Sequence, residues 1–180
     1  DYLKGLPGSK DCSYRIANGT EHVWQGAFNS ILNIHFKDVK NPFNNSRLDI
    51  NKNHWIEIGD FNSGIGDIKI IWELSRFSWL LVLTRAYLVT GDKKYLDFIN
   101  LWLEDWIINN PLNTGPNWKC GQETAVRIFH ILTATYLLEQ HKEPSESLTR
   151  FVFEHCERIY PNIRYAIAQD NNHGISEAAA

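Results

Sequence analysis

The chain of 180 residues has no methionine, only three cysteines, and no apolar run near the ~20 residues needed to span a bilayer. It begins at Asp1 without a basic-then-apolar leader, so it reads as a processed product or a segment, and membrane insertion is not expected. Cys12, Cys120 and Cys156 lie far apart, lack metal-ligand spacing and leave one over if two pair, so free, buried thiols are expected. Positive charge is also scarce. The formal net charge of -3 argues against a general nucleic-acid binder, because phosphate-tracking surfaces carry a basic excess. His22, His35, His54, His130, His141 and His155 fall into no HExxH or comparable spacing, so no metal is expected. There is no phosphate-binding glycine loop, no GxSxG elbow and no redox CxxC, and nothing calls for a cofactor.

What the chain does have is an ordinary globular balance, 43% hydrophobic and 22% charged, which fits one domain or one part of a larger one. Aromatics stand out at 13%, with Trp 7, Tyr 7 and Phe 9. That exceeds what core packing alone requires, and flat rings are natural platforms for sugar faces.

Residues 1–66 are rich in Asn, Gly and Ser, with turn formers at Asn18-Gly19, Asn41-Pro42 and Asn44-Asn45-Ser46, and read as an irregular N-terminal arm. Short apolar pieces at 31–36 and 55–58 suit extended segments. From residue 67 the period becomes helical. Helices are expected over 68–89, 93–107, 122–139 and 147–160, with Gly91-Asp92 closing the first and opening the second and Pro161 ending the fourth. The helices opening near 68 and 122 start roughly fifty residues apart and each has an antiparallel partner, the signature of stacked helical hairpins. The fold class is therefore all-α. Such hairpins form either an open solenoid or a ring of inner and outer helices, an α/α toroid, and periodicity does not choose.

Both leading helices carry similar polar sets near their start: Trp72, Glu73 and Arg76, then Trp118, Gln122, Glu123 and Arg127. As intrahelical pairs, Glu73–Arg76 and Glu123–Arg127 would contribute only a few tenths of a kcal/mol. On otherwise apolar helices they suggest a cavity, where an arginine binds a carboxylate or sulfate in bidentate fashion and Trp72 and Trp118 stack on sugar rings, although both rings could equally be core. Near the end, Gln169-Asp170-Asn171-Asn172-His173-Gly174-Ile175-Ser176-Glu177 sets amides and an imidazole before an Ala-rich run that looks like a starting helix. A helix N-terminus favours an anionic ligand, Asn172 offers a neutral donor, and His173 can serve as acid or base near neutral pH. On spacing alone, the plainer account is that Asn172 caps the helix and His173 packs locally.

Taken in order, Asp67-Ile68-Lys69, Trp72-Glu73-Leu74-Ser75-Arg76, Asp105-Trp106-Ile107, Asn110-Pro111, Gly115-Pro116-Asn117-Trp118, Glu123, Arg127 and Asn172-His173 resemble the helical N-terminal domain of the heparinase II/III-like polysaccharide lyases. The resemblance covers residues 67–180. It implies an incomplete α/α toroid followed by a C-terminal β-sandwich, and β-elimination on a uronate-containing acidic polysaccharide such as heparan sulfate or alginate, in a periplasmic or secreted setting. Asn172 would neutralise the uronate carboxylate and His173 would assist or act as the base. The family's tyrosine acid lies on a later helix, so its partner is the rest of the same protein, and the 180-residue segment alone is expected to be inactive. Tyr160 and Tyr165 precede the motif and do not take that role. The negative charge makes a sulfated substrate the less natural choice.

Two rivals remain at this level. One is a non-catalytic helical module that binds glycans or proteins. The other is an α/α-toroid hydrolase, which would need facing carboxylates such as Glu73 and Glu123.

Overall fold

A computed structural model of the chain describes residues 53–59 and 68–180. Cys12, the 31–36 segment, Asp67 and most of the expected N-terminal arm lie outside these residues. Among the described residues there are seven α-helices and no strand. They are α1 Lys69–Ser75, α2 Ser78–Thr90, α3 Lys94–Asn109, α4 Gly121–Leu137, α5 Glu146–Ile159, α6 Ile163–Ala168 and α7 Asn172–Ala179. Short 3-10 turns at Trp55–Glu57, Pro116–Trp118 and Tyr160–Asn162 complete the series.

The helix ends follow local chemistry. Gly91 closes α2 in the left-handed conformation, φ 68°, its N–H donating to the Tyr87 carbonyl at 2.8 Å. The Asp92 carboxylate then accepts from the Lys94 N–H at 3.0 Å, using one of the free donors at the start of α3. At the far end of α3, the Asn110 amide donates back to the Trp106 carbonyl at 2.8 Å, and Pro111 follows. Ser145 caps α5 by accepting from the Leu148 N–H at 3.1 Å.

α2 packs on α3 and on α4, α4 packs on α5 and α7, and α6 packs on α7. The two hairpins therefore meet through their leading helices, with α4 at the centre. One core, including Phe77, Trp79, Leu80, Leu83, Ile99, Trp102, Leu103, Trp106, Trp118, Ile131, Leu138 and Phe151, fills the space between α2, α3, α4 and α5. A smaller group, Ala125, Ile128 and Ile159, joins α4 to α5.

Three expectations are corrected. The helix expected over 68–89 is two helices, because Phe77 adopts φ 65°, which ends α1. A left-handed conformation costs a bulky residue about 1–2 kcal/mol. Burial of the Phe77 ring, edge-on to Trp79 and Trp106 and tilted on Phe151, offsets that cost. Residues 55–58 are not extended: Trp55–Glu57 is a 3-10 turn, with strand-like pairing limited to one His54–Thr114 bridge. The Trp55 N–H donates to the Asn113 carbonyl, the Gly115 N–H donates to the Asn53 carbonyl, and Arg158 lies 3.7 Å above the Trp55 ring. Pro161 marks a helix boundary as expected, α5 ending at Ile159. It sits in the first turn of the Tyr160–Asn162 segment, where a missing N–H costs nothing, and leads straight into α6. Cys120 and Cys156 are free but half-buried rather than buried.

Candidate functional site

The break at Phe77 determines where Arg76 goes. Had α1 run on into α2, Arg76 would lie on a continuous helical face; instead it ends α1 and its guanidinium reaches across to α4. Its Nε and Nη2 donate to the two oxygens of Glu123 at 2.6 and 2.8 Å, and its Nη1 donates to Glu73 at 2.6 Å. The Glu123 side chain is 6% exposed, Glu73 70% and Arg76 33%, so the fork on Glu123 is the enclosed part. That bidentate bond raises the Arg76 pKa further above its ordinary value. Ring nitrogens hold the break in place. His130 Nδ1 donates to the Arg76 carbonyl at 2.5 Å, Trp79 Nε1 to the Leu74 carbonyl at 3.3 Å, and Trp106 Nε1 to Ser75 Oγ at 3.0 Å. Two of these acceptors are carbonyls that the end of a helix leaves without intrahelical partners.

The second polar set arrives through the loop after α3. Gly115 at φ 82° and Pro116 in the first turn fold Pro116–Trp118 into a 3-10 turn against α1, where Trp72 Nε1 donates to the Pro116 carbonyl at 2.9 Å. Asn110 and the turn tie together: Asn117 donates to Asn110 Oδ1 at 2.7 Å and Trp118 Nε1 donates to the Asn110 carbonyl at 3.0 Å. Trp118 is 1% exposed. It is a wall of the core, and Trp72 is the half-buried ring of the pair.

Arg127 is enclosed beneath Glu123. It does not pair with Glu123 along the helix; Nε donates to His155 Nε2 at 3.1 Å, and Nη2 donates to the Asn117 carbonyl at 2.9 Å and Thr124 Oγ1 at 3.1 Å. Its guanidinium centre lies 5.0 Å from the Trp106 ring and 5.3 Å from the Trp118 ring, favourable cation–π geometry. Burial lowers its pKa to about 9, leaving it protonated at neutral pH. Among the described residues, Arg127 Nη1 and Asn117 Oδ1 are buried without hydrogen-bond partners. The tautomer of His155 follows from its neighbours. Arginine only donates, so Nε2 holds the lone pair, and Nδ1 donates to the Phe151 carbonyl at 2.8 Å. Burial, reinforced by the Arg127 charge, holds this imidazole well below its usual pKa. Arg158 completes the layer, donating to the Trp118 and Lys119 carbonyls at 2.7 and 2.8 Å.

Asn171, Asn172 and His173 have three different positions. Asp170 at φ 48° turns the chain, and Asn171 is the cap of α7, its Oδ1 accepting from the His173 N–H at 2.9 Å. Asn172 is the first helical residue; its side chain is exposed and makes no hydrogen bond to the described residues. The capping role foreseen for Asn172 thus falls one residue earlier. His173 is half-buried, with Nδ1 3.2 Å from Glu177 Oε1. The Glu177 carboxylate in turn rests against Gly121 at the start of α4. Burial pushes the pKa of the neighbouring Cys120 thiol up, with the Glu123 and Glu177 charges acting the same way.

The start of α4 therefore joins the polar sets. Arg76 and Glu73 reach it from α1, Glu123 and half-buried Gln122 belong to its first turn, and His173 reaches it through Glu177. Arg76 and Arg127 both have their principal donors engaged within the chain. Glu177, Gly121, His130, His155 and Arg158 were not singled out by sequence. Glu177 could have been, because it stands four residues after His173 and so shares its helical face. Among the described residues no group of His, Cys, Asp and Glu side chains could hold a metal ion, and no helix is long and apolar enough to cross a membrane.

The all-α scaffold thus brings paired charges and a half-buried imidazole to the start of one central helix. The family Heparinase II/III N-terminus matches residues 2–179, and the chain belongs to that family. It is 34% identical over 116 residues to a heparin-sulfate lyase of Bacteroides thetaiotaomicron; the match takes in 60% of this chain and 16% of that protein, so the chain spans a small part of its relative's length. No solved structure matches the chain.

Proposed function

We propose that this chain is the helical N-terminal part of a polysaccharide lyase that cleaves a uronate-containing acidic polysaccharide by β-elimination, and that its hairpins belong to an incomplete α/α toroid. The observation that carries the reading is the exposed amide of Asn172 beside the half-buried imidazole of His173, with the cap already supplied by Asn171. With capping assigned elsewhere, local helix chemistry leaves the Asn172 side chain unexplained.

The reaction removes the C5 proton of a uronate, forms the C4–C5 double bond and expels the oxygen bonded to C4. The adjacent carboxylate resists further negative charge, so an amide donor fixed beside it lowers the barrier by stabilising the enolate-like intermediate. Asn172 takes this role. His173 takes the C5 proton or assists its removal, and a tyrosine elsewhere in the complete protein protonates the leaving oxygen. Trp72, Glu73, Arg76, Gln122 and Glu123 border the substrate path, while Trp118 and Arg127 support it from beneath. With Arg76 and most donors of Arg127 engaged internally, the exposed Asn172 amide is the donor left for the uronate carboxylate. Arg76 also binds both carboxylates that a hydrolase would need as acid and base, which weighs against that reading.

In the complete protein, Asn172→Ala and His173→Ala are expected to abolish the ultraviolet absorbance of unsaturated uronate products while circular dichroism stays unchanged. Undiminished cleavage by either variant overturns the assignment and favours a non-catalytic glycan- or protein-binding module. Saturated products would indicate hydrolysis. The 180-residue segment by itself is expected to produce no unsaturated ends.

A further inference from the structure

The Glu177 carboxylate is 5% exposed, and buried carboxylates are costly unless paired. Among the described residues its hydrogen-bond partner is His173, one helical turn earlier on α7, at 3.2 Å from Nδ1. An ionised carboxylate only accepts, so Nδ1 carries the proton and the lone pair of the neutral ring lies at Nε2, on the opposite edge. The imidazole remains 25% exposed, so a ligand has access to it.

The seat of Glu177 is equally specific. A β-carbon on Gly121 would fall 2.3 Å from Glu177 Oε2 and 2.7 Å from Oε1, so only glycine leaves room for the carboxylate there. Gly121 is the first residue of α4, whose N-terminal end carries partial positive charge. From α5, the Arg158 guanidinium and the Glu177 carboxylate attract one another; from α4, Cys120 senses the charges of both Glu123 and Glu177. The carboxylate is thus held apart from solvent, against backbone, with its bond directed at one imidazole.

We propose that Glu177, seated on Gly121, is a positioning residue for His173: it fixes the tautomer with the proton on Nδ1, presents Nε2 as the atom that receives the uronate C5 proton, and stabilises the imidazolium so formed. This rests on His173 acting as the base in the proposed elimination. The proton passes from C5 to Nε2 while the electron pair forms the C4–C5 bond and leaves with the C4 oxygen, so the ring gains one positive charge facing the Glu177 carboxylate.

The test compares His173→Ala, Glu177→Gln and Gly121→Ala in the complete protein, with steady-state kinetics across pH on a uronate polymer. Glu177→Gln is expected to lower kcat roughly ten- to a hundredfold with little change in KM. Gly121→Ala displaces the carboxylate without removing it and should lower kcat in the same direction. Should Glu177→Gln fail to fold, Gly121→Ala carries the test alone. An inactive His173→Ala together with wild-type kcat in the folded Glu177 or Gly121 variant overturns the positioning role and leaves the lyase reading standing. A fully active His173→Ala overturns the lyase reading itself.

Discussion

Replacing Arg76 with alanine removes the guanidinium that both oxygens of Glu123 accept from, and leaves a carboxylate that is 6% exposed facing a gap. Breaking a fully buried pair costs on the order of 3–5 kcal/mol, most of it from the stranded charge. Arg76 is itself 33% exposed, so water would enter where its side chain had been and screen Glu123. That discount brings the expected loss to about 2–3 kcal/mol. The Glu73 arm of the same arginine is 70% exposed, and Glu73→Ala should therefore change stability by no more than about 0.5 kcal/mol. Arg76→Lys keeps the charge but not the planar fork, and should fall between the two. The assay is urea unfolding followed by far-ultraviolet circular dichroism, run as a double-mutant cycle with Glu123→Ala. A coupling of about 1–3 kcal/mol is expected for groups in direct contact. Additive losses, or an Arg76→Ala penalty no larger than that of Glu73→Ala, would refute the view that this cross-helix fork holds α1 to α4.

Acid sensitivity should trace in part to His155, whose folded-state pKa lies well below the ordinary value of 6.5 through burial and the Arg127 charge. The unfolded chain takes up this proton near pH 6.5 and the folded one does not, so the contribution is complete above that pH. It declines by up to ~1.4 kcal/mol per pH unit as the solution is acidified below it. Urea midpoints measured between about pH 7.5 and 5 should fall less steeply in His155→Gln, which keeps an acceptor for Arg127; an unchanged slope counts against the assignment. At the α2–α3 corner, Gly91→Ala should cost about 1 kcal/mol, because φ 68° is strained for any side chain even though nothing lies within 4 Å of the added carbon. A thermal midpoint unaffected by this change would contradict the left-handed cap.

The helices were legible because their apolar period is strong and their ends carry ordinary punctuation, as at Gly91, Asn110 and Ser145. The break between α1 and α2 was not. Phe77 is a residue that local preference places in a helix, and only the pocket formed by Trp79, Trp106 and Phe151 makes the left-handed conformation worthwhile. A window over the sequence carries no information about Phe151, which lies beyond three intervening helices. The same limit explains the charge pairs. Spacing offered Glu73–Arg76 and Glu123–Arg127, and the first is present, yet the better bond of Arg76 runs to Glu123, 47 residues on. That choice depends on α2 packing against α4, a tertiary fact. Trp55–Glu57 failed for a related reason: its turn is held by Asn113, Gly115 and Arg158, none of them nearby in sequence.

The aromatic excess, which first suggested platforms for sugars, has a different physical source over most of the described chain. Breaks such as those at Arg76 and Asn110 leave backbone carbonyls that no helix satisfies, and in a dry interior each would otherwise be costly. An indole supplies a single N–H at the edge of a large apolar surface, so one side chain fills volume and satisfies a carbonyl together. Trp72, Trp79 and Trp118 do this for Pro116, Leu74 and Asn110. Irregular connections are thereby fixed as firmly as the helices they join, and a fixed connection is what a site assembled from α1, α4 and α7 requires. In the proposed site the residues that hold the shape and those that would meet a ligand are consequently different: the enclosed rings of Trp79, Trp106 and Trp118 serve the first purpose, while half-buried Trp72 keeps a flank for the second.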